Sequence, residues 1–184
     1  MKNKFADKIP EKDWVSSKVE IKKSPLGGKG MFAKDFILPG EKVIIWGGTR
    51  IFTKQDIDTG KTRPHSVAGI DEGLYLAGAA DEPAEETDFT NHSCDSNLWM
   101  KDAVTLIAKR EIKPGEEITA DYALWEGDEN WKANWECHCG SRFCRHKITG
   151  QDWKIPEVQE RYKDHFSTFI NKRIEGLAKK KNLL

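Results

Sequence analysis

Four cysteines place the tightest constraint on this chain of 184 residues. Cys94 stands alone inside the polar run Asn91-His92-Ser93-Cys94-Asp95-Ser96-Asn97, while Cys137, Cys139 and Cys144 crowd together far downstream. A lone thiol and a distant trio are the arithmetic of a metal site closed by a long loop. Tetrahedral zinc accepts four thiolates at about 2.3 Å, and a short loop can wrap three of them round one ion. His92 and His138 are alternative ligands, since imidazole also binds zinc; the remaining reading is four unrelated free thiols. A four-ligand shell is saturated and therefore structural, offering no position for a hydrolytic water. The run at 91–97 is not an ordinary strand or helix either, because Asn, Asp and Ser bond their own backbone and favour turns.

The length suits one domain with a core of its own, so a metal would supplement folding rather than supply it. Lys and Arg together number 30, as do Asp and Glu, giving zero net charge. That balance argues against a general nucleic-acid binder, whose footprint is an excess of basic residues. The charge is uneven, however. No Lys or Arg falls within 64–100, where Asp71, Glu72, Asp81, Glu82, Glu85, Glu86, Asp88 and Asp95 collect. Such a stretch is either a solvated acidic loop or a rim that attracts a basic peptide. The first residues, 1–14, are charged and lack the apolar stretch of a signal peptide. No apolar run approaches the roughly 18 residues of a membrane span. The expected compartment is cytoplasmic, or nuclear in a cell with a nucleus, where thiols stay reduced and metal is favoured over disulfide.

Along the chain, Val19-Glu20-Ile21 alternates like a strand and is followed by the breaker-rich Ser24-Pro25-Leu26-Gly27-Gly28-Lys29-Gly30. Met31-Phe32-Ala33 resumes a strand, Pro39-Gly40 turns the chain into a segment at 42–46, and Gly47-Gly48 ends it. The stretch 51–66 is polar, with room for a helical turn. Leu74-Tyr75-Leu76, 103–108 and 117–120 read as further strands, the last two joined by Pro114-Gly115 at the centre of a type II turn. Short strands with Gly and Pro turns are an all-β signature. After the cysteines, Pro156 opens a predicted helix whose Val158, Tyr162, Phe166, Phe169, Ile170 and Leu177 form an apolar stripe facing the body, with a frayed lysine end at 179–181.

Taken alone, Gly28-Lys29-Gly30 fits a hairpin turn or a close backbone approach to a ligand. Tyr122, at the end of a strand, fits half-buried packing. In order along the chain, however, come Gly28-Lys29-Gly30-Met31-Phe32-Ala33, the run Asn91 to Asn97, Gly115-Glu116-Glu117-Ile118-Thr119-Ala120-Asp121-Tyr122, and Cys137-His138-Cys139-Gly140-Ser141 through Cys144-Arg145. This set resembles SET-domain protein-lysine methyltransferases with a post-SET zinc segment, over roughly 19–148. The compactness and the continuation Ile148-Thr149-Gly150-Gln151-Asp152-Trp153 are similar to small free-standing SET proteins of bacteria.

The resemblance implies a β-clip fold: mostly small β-sheets with a knot-like crossing of the Asn91 and Gly115–Tyr122 segments, plus a C-terminal α-helix. It divides the chain into an N-terminal arm (1–17), the SET body (18–124, with an inserted region at 51–90), a post-SET zinc segment (125–150) and a C-terminal helix and basic tail (151–184). It implies S-adenosylmethionine as co-substrate, held by Gly28, Lys29, Gly30, Asn91 and His92, with contacts from Tyr75 and the loop around His138. Tyr122 matches the catalytic tyrosine. One structural zinc per chain would sit on Cys94, Cys137, Cys139 and Cys144, and the substrate would be lysine on a histone or other basic protein, with no membrane or direct nucleic-acid partner. The alternative, from a different class, is a zinc-stabilised module that binds peptide or cofactor without turnover. Two departures stand out. Ser96 replaces the usual proline, and Ala120 replaces the usual Phe or Tyr of the lysine channel, which leaves room for di- or trimethylation.

Overall fold

Short strands separated by Gly and Pro turns assemble into three small sheets, as seen in a computed structural model that describes residues 9–48 and 50–181. The strands in chain order are β1 (Trp14–Val15), β2 (Val19–Lys23), β3 (Lys29–Ala33), β4 (Lys42–Ile45), β5 (Ile51–Thr53), β6 (Ala68–Asp71), β7 (Leu74–Leu76), β8 (Asn91–His92), β9 (Leu98–Met100), β10 (Thr105–Ala108) and β11 (Glu117–Ala120). They pair as β1-β4-β10-β9, β2-β3-β11-β8 and β5-β7-β6. Helix α1 (Lys54–Asp58) is capped by Thr53, whose side chain accepts from the Asp56 amide while Asp56 bonds back to the Thr53 backbone. Those reciprocal bonds satisfy two amides that a helix start leaves orphaned.

The turn between β10 and β11 follows the expected chemistry. Gly115 takes φ 83°, open to glycine without a Cβ penalty, and the Glu116 amide closes the turn on the Lys113 carbonyl at 3.0 Å. Return from that turn lays β11 antiparallel to β3 and parallel to β8, with Thr119 opposite Asn91 and Ala120 opposite His92. Parallel neighbours need a crossover rather than a hairpin, and the chain from 93 to 116 supplies it. Asn97 then stitches across: its Nδ2 donates to the Glu117 carbonyl at 2.8 Å, and its Oδ1 accepts the Thr119 amide at 2.9 Å. The 91–97 segment is thus locked to β11 at both ends, which is the expected crossing.

The core runs between the sheets through Met31, Ile44, Leu98, Leu106 and Ile118, all fully buried. The expected C-terminal helix is present but in two pieces, α2 (Pro156–Arg161) and α3 (Thr168–Lys181). Asp164 at φ 64° breaks the helical path. There the backbone turns to sheet and body instead: the Met100 amide bonds the His165 carbonyl at 3.0 Å, and the Ser167 amide bonds the Leu124 carbonyl at 2.8 Å. Val158, Tyr162, Phe166, Phe169 and Ile170 are buried on the body as the stripe predicts, whereas Leu177 is exposed. Helix α3 stays regular through Lys181 rather than fraying earlier. The first eight residues of the N-terminal arm, and 182–184 of the tail, lie outside the described residues. No described helix is long and apolar enough to cross a membrane.

Candidate active site and thiol cluster

Two surfaces meet at the β8–β11 pairing. On one, the Asn91 Nδ2 donates to the Lys29 carbonyl at 3.0 Å and to a Glu117 carboxylate oxygen at 2.7 Å. Ser24 Oγ bonds both oxygens of the same carboxylate, at 2.7 and 2.9 Å. Gly30 sits against this knot. A Cβ there would collide with Glu117 Oε1 and lie 2.8 Å from Asn91 Nδ2, so any larger residue would push these two side chains out of their present bonds. Gly28, at φ 58°, has nothing near its Cβ position. Gly28, Lys29, Gly30 and Asn91 are therefore brought together, with Glu117 as an organising residue that the sequence reading passed over.

On the other surface lies a cleft of about 750 Å³ between the β5–β7 region and the 125–135 segment. Its walls include Trp46, Tyr75, Tyr122, Trp125, Trp131 and Trp135. The Tyr122 hydroxyl donates to the Thr90 carbonyl at 3.0 Å. Its ring packs edge-on to His92 (5.0 Å between centroids) and tilted against Trp125 at 5.4 Å. Burial pushes the Tyr122 phenol up to about 12, so it is protonated at neutral pH. Glu126 shares this wall, and burial raises its carboxyl to about 7. Tyr75 also lines the cleft, whereas Gly28, Lys29, Gly30 and Asn91 are not on its walls. Ala120 is fully buried and likewise absent from them. Of the acidic stretch, Glu82, Glu85 and Asp88 reach the rim. Asp88 is already paired with Arg63 at 2.7 Å.

His92 joins the two surfaces. Its Nδ1 accepts the Tyr122 amide at 3.2 Å, and its Nε2 lies 3.3 Å from Cys94 Sγ. This pattern assigns the proton to Nε2, with the sulfur as acceptor. Burial lowers the imidazole to about 4, keeping it neutral. Both ring nitrogens are thus committed to holding Tyr122 and Cys94 in place.

Cys94, Cys137, Cys139 and Cys144 have their sulfurs within 4.8 Å of one another. Cys94 and Cys137 are 4.0 Å apart, close to the roughly 3.8 Å edge of a tetrahedron with zinc–sulfur bonds of about 2.3 Å. No histidine belongs to this cluster; His138 stands outside it on the surface, beside Glu136 and His146. Burial raises the Cys94 thiol to about 12 and pushes Cys137 higher still, whereas backbone amides bring Cys139 down to about 7 against its own burial. Two thiols so reluctant to ionise become thiolates together only beside a cation. The donor set and spacing fit one structural zinc.

Arg145 ties this cluster to the strand end that carries Tyr122. Its guanidinium forks onto both oxygens of fully buried Asp121, each at 2.7 Å, and its Nε donates to Asp152 at 2.7 Å. Its amide donates to Cys94 Sγ at 3.4 Å. From below, Arg161 bonds the Cys94 carbonyl at 2.8 Å. Ser96 has a use that proline could not fill: its amide donates to the Tyr162 hydroxyl, at 3.4 Å. The Asp121–Arg145 pair was not singled out from sequence, although a carboxylate directly preceding a buried tyrosine was a signal.

The SET domain family model matches residues 28–123. The chain is 28% identical over 148 residues to the histone-lysine N-methyltransferase trithorax of Drosophila virilis, covering 73% of this chain and 4% of that protein. It thus spans a small fraction of the curated relatives it matches. The methyltransferase domain of human SETMAR superposes with a TM-score of 0.56 at 20% identity, over 73% of this chain and 58% of that one. Arabidopsis thaliana SUVH6 in complex with SAM superposes with a TM-score of 0.59 at 18% identity, over 72% and 33%. Both share the fold, and with the family match extending over the glycine corner, the Asn91 run and Tyr122, this chain belongs to the SET domain family.

Proposed function

We propose that this chain transfers a methyl group from S-adenosylmethionine to the ε-amine of a lysine on a histone or another basic protein. The observation that carries this reading is the β8–β11 pairing, from whose adjacent residues Asn91 reaches the glycine corner and Tyr122 reaches the aromatic cleft. S-adenosylmethionine, when bound, supplies a sulfonium methyl open to in-line displacement by a neutral amine. The backbone of Gly28, Lys29 and Gly30, with Asn91 and the strand at His92, holds the donor on one side. The lysine enters through the aromatic cleft; Tyr75, which the resemblance assigned to the donor, lines this cleft together with Trp46 and Trp125 and is here taken as part of the lysine wall. Desolvation there favours the neutral amine that the reaction needs. Tyr122, pinned through its proton to Thr90, keeps oxygen lone pairs to accept weak C–H bonds from a polarised methyl. Positioning of the two reactants supplies most of the rate. The zinc on Cys94, Cys137, Cys139 and Cys144 takes no chemical part.

In this reading 18–124 is the catalytic body, with 51–90 building the substrate side, 125–150 the zinc-pinned wall and 151–184 the buttress; the site of action is the cytoplasm, or a nucleus where there is one. The rim carries Glu82 and Glu85, but Arg50 pairs with Glu82 at 3.5 Å and Lys54 and Lys132 line the same cleft, so the preference for a basic substrate rests on the family resemblance. Tritiated methyl transfer to mixed histones and to a cell lysate tests the proposal. Labelled lysine is expected, and Tyr122→Phe should reduce the rate on the order of 10²-fold with zinc content unchanged. Donor binding without any transfer would instead favour a non-catalytic binding module. Mass spectrometry of the product tests the expectation, drawn from the resemblance, that Ala120 leaves room for di- or trimethyl-lysine; Ala120 is buried off the cleft walls, and monomethyl-lysine alone would refute that part.

A further inference from the structure

Glu136 and His146 have no part in the chemistry above, and His138, which the resemblance placed near the donor, stands with them on the surface, the three ligand atoms lying within 4.8 Å of one another. His146 Nδ1 is 3.6 Å from a Glu136 carboxylate oxygen, and the two imidazole centroids are 6.3 Å apart. We propose that these three side chains form a second metal site, separate from the four thiols, for a first-row divalent transition ion such as nickel, cobalt or zinc. Two imidazoles and one carboxylate suit such borderline ions, whereas calcium and magnesium prefer all-oxygen shells. An ion about 2.0–2.2 Å from each donor holds them about 3–3.5 Å apart, within reach of small rotations of exposed side chains.

The backbone presents the donors in advance. Glu136 and His138 flank Cys137, which turns inward and is buried while they turn out. The Cys137 amide bonds the His146 carbonyl at 2.7 Å, which brings the third ligand opposite the other two. His146 stands at φ 60°, a left-handed conformation uncommon for a residue with a Cβ. Strain of this kind gathers at ligand clamps. Cys137, Cys139 and Cys144 anchor the same short loop, so the three outer donors stand on a fixed frame. Three protein ligands leave coordination positions open to solvent, unlike the closed thiol site beneath.

Titration of NiCl2 into the untagged full chain, purified with its thiol-bound zinc and counted by elemental analysis, tests the site. Binding should saturate at one further equivalent per chain. His138→Asn and His146→Asn, the latter chosen because asparagine tolerates the left-handed backbone, should each weaken that binding by about 10–100-fold and leave the zinc count unaltered. The proposal is overturned if the wild type takes up no further nickel, or if the double variant binds it as the wild type does. Loss of zinc from the thiols in either variant would also overturn it, because the two sites would then not be separate.

Discussion

Between Val19 and Lys23 every residue of β2 has a partner on β3, and β3 in turn pairs with β11. The segment at 125–150 has no such ladder: among the described residues its backbone pairing is limited to the isolated bridge between Lys132 and Thr149 and a few loop bonds. It is held by side chains, namely the four sulfurs, the Arg145 fork on Asp121 and Asp152, and the tryptophans of the cleft. A ladder spreads stabilisation over many equivalent bonds, each worth about 1 kcal/mol net. A few strong cross-links concentrate it, so that single changes should release the segment while the sheets survive.

The largest effect is expected from Arg145→Met. Asp121, fully buried, would keep its bond from the Ala123 amide but lose both bonds from its charged partner, and breaking a buried pair from one side costs about 3–5 kcal/mol. Hydrogen exchange should show 125–150 opening while β2, β3 and β11 remain protected. Adding Asp121→Asn should restore part of the loss, since the uncompensated charge is gone. Uniform loss of protection would show that the two regions are a single cooperative unit.

Leu106→Ala probes the ladder side. Leu106 is fully buried on β10, opposite Ile44 and Met100, and truncation of a core leucine costs about 2–5 kcal/mol. Here the whole melting curve should shift, with no early release of 125–150. A cleft-confined response would contradict the division.

Glu126→Gln addresses the boundary between the regions. The Glu126 carboxyl is raised from its ordinary value to about 7, chiefly by burial, against the Asp128 amide, which favours ionisation by donating to it, while the Asp128 carboxylate opposes ionisation and Lys54 favours it. Because the folded state binds the proton more tightly, the contribution of protonated Glu126 is complete below the unfolded value near 4.5 and is lost as pH rises through 7. Gln should therefore match the parent near pH 4 and be more stable by about 1–3 kcal/mol at pH 8. Thermal melts across that range decide it, and a gain at low pH would be the wrong sign.

These contrasts also explain what could be read from sequence. The strands at 74–76 and 117–120, the Pro114-Gly115 turn and the shared thiols were all legible, because period-two patterns, turn residues and cysteine spacing are local signals. The two-residue β1 and β8 were not, since such short pairings take their conformation from their neighbours. The break between α2 and α3 was hidden because Tyr162 and Phe166 keep helical spacing across it while Asp164 turns the chain. At the site, Tyr122, Asn91 and the glycines were recognisable, but Glu117 and Arg145 act through partners 93 and 24 positions away, and no pattern along the chain encodes that distance.

The smallest effect should come from Ser24→Ala. Ser24 Oγ shares its single proton between the two oxygens of Glu117 and accepts the Leu26 amide at 2.9 Å, so its loss breaks three close contacts, as many as Arg145 makes to Asp121 and Asp152. The outcome should nevertheless differ. Glu117 keeps Asn91 Nδ2 at 2.7 Å and lies on a strand paired on both sides, and it is only partly buried, so water can replace the missing donor. A loss of about 0.5–1.5 kcal/mol is expected, read from denaturant midpoints at an unchanged slope. The glycine corner would then tolerate removal of a polar partner that the thiol segment cannot, because strand pairing holds its residues in place independently. A loss as large as that of Arg145→Met would mean that the corner, too, depends on single side chains and that its ladder lends it no reserve.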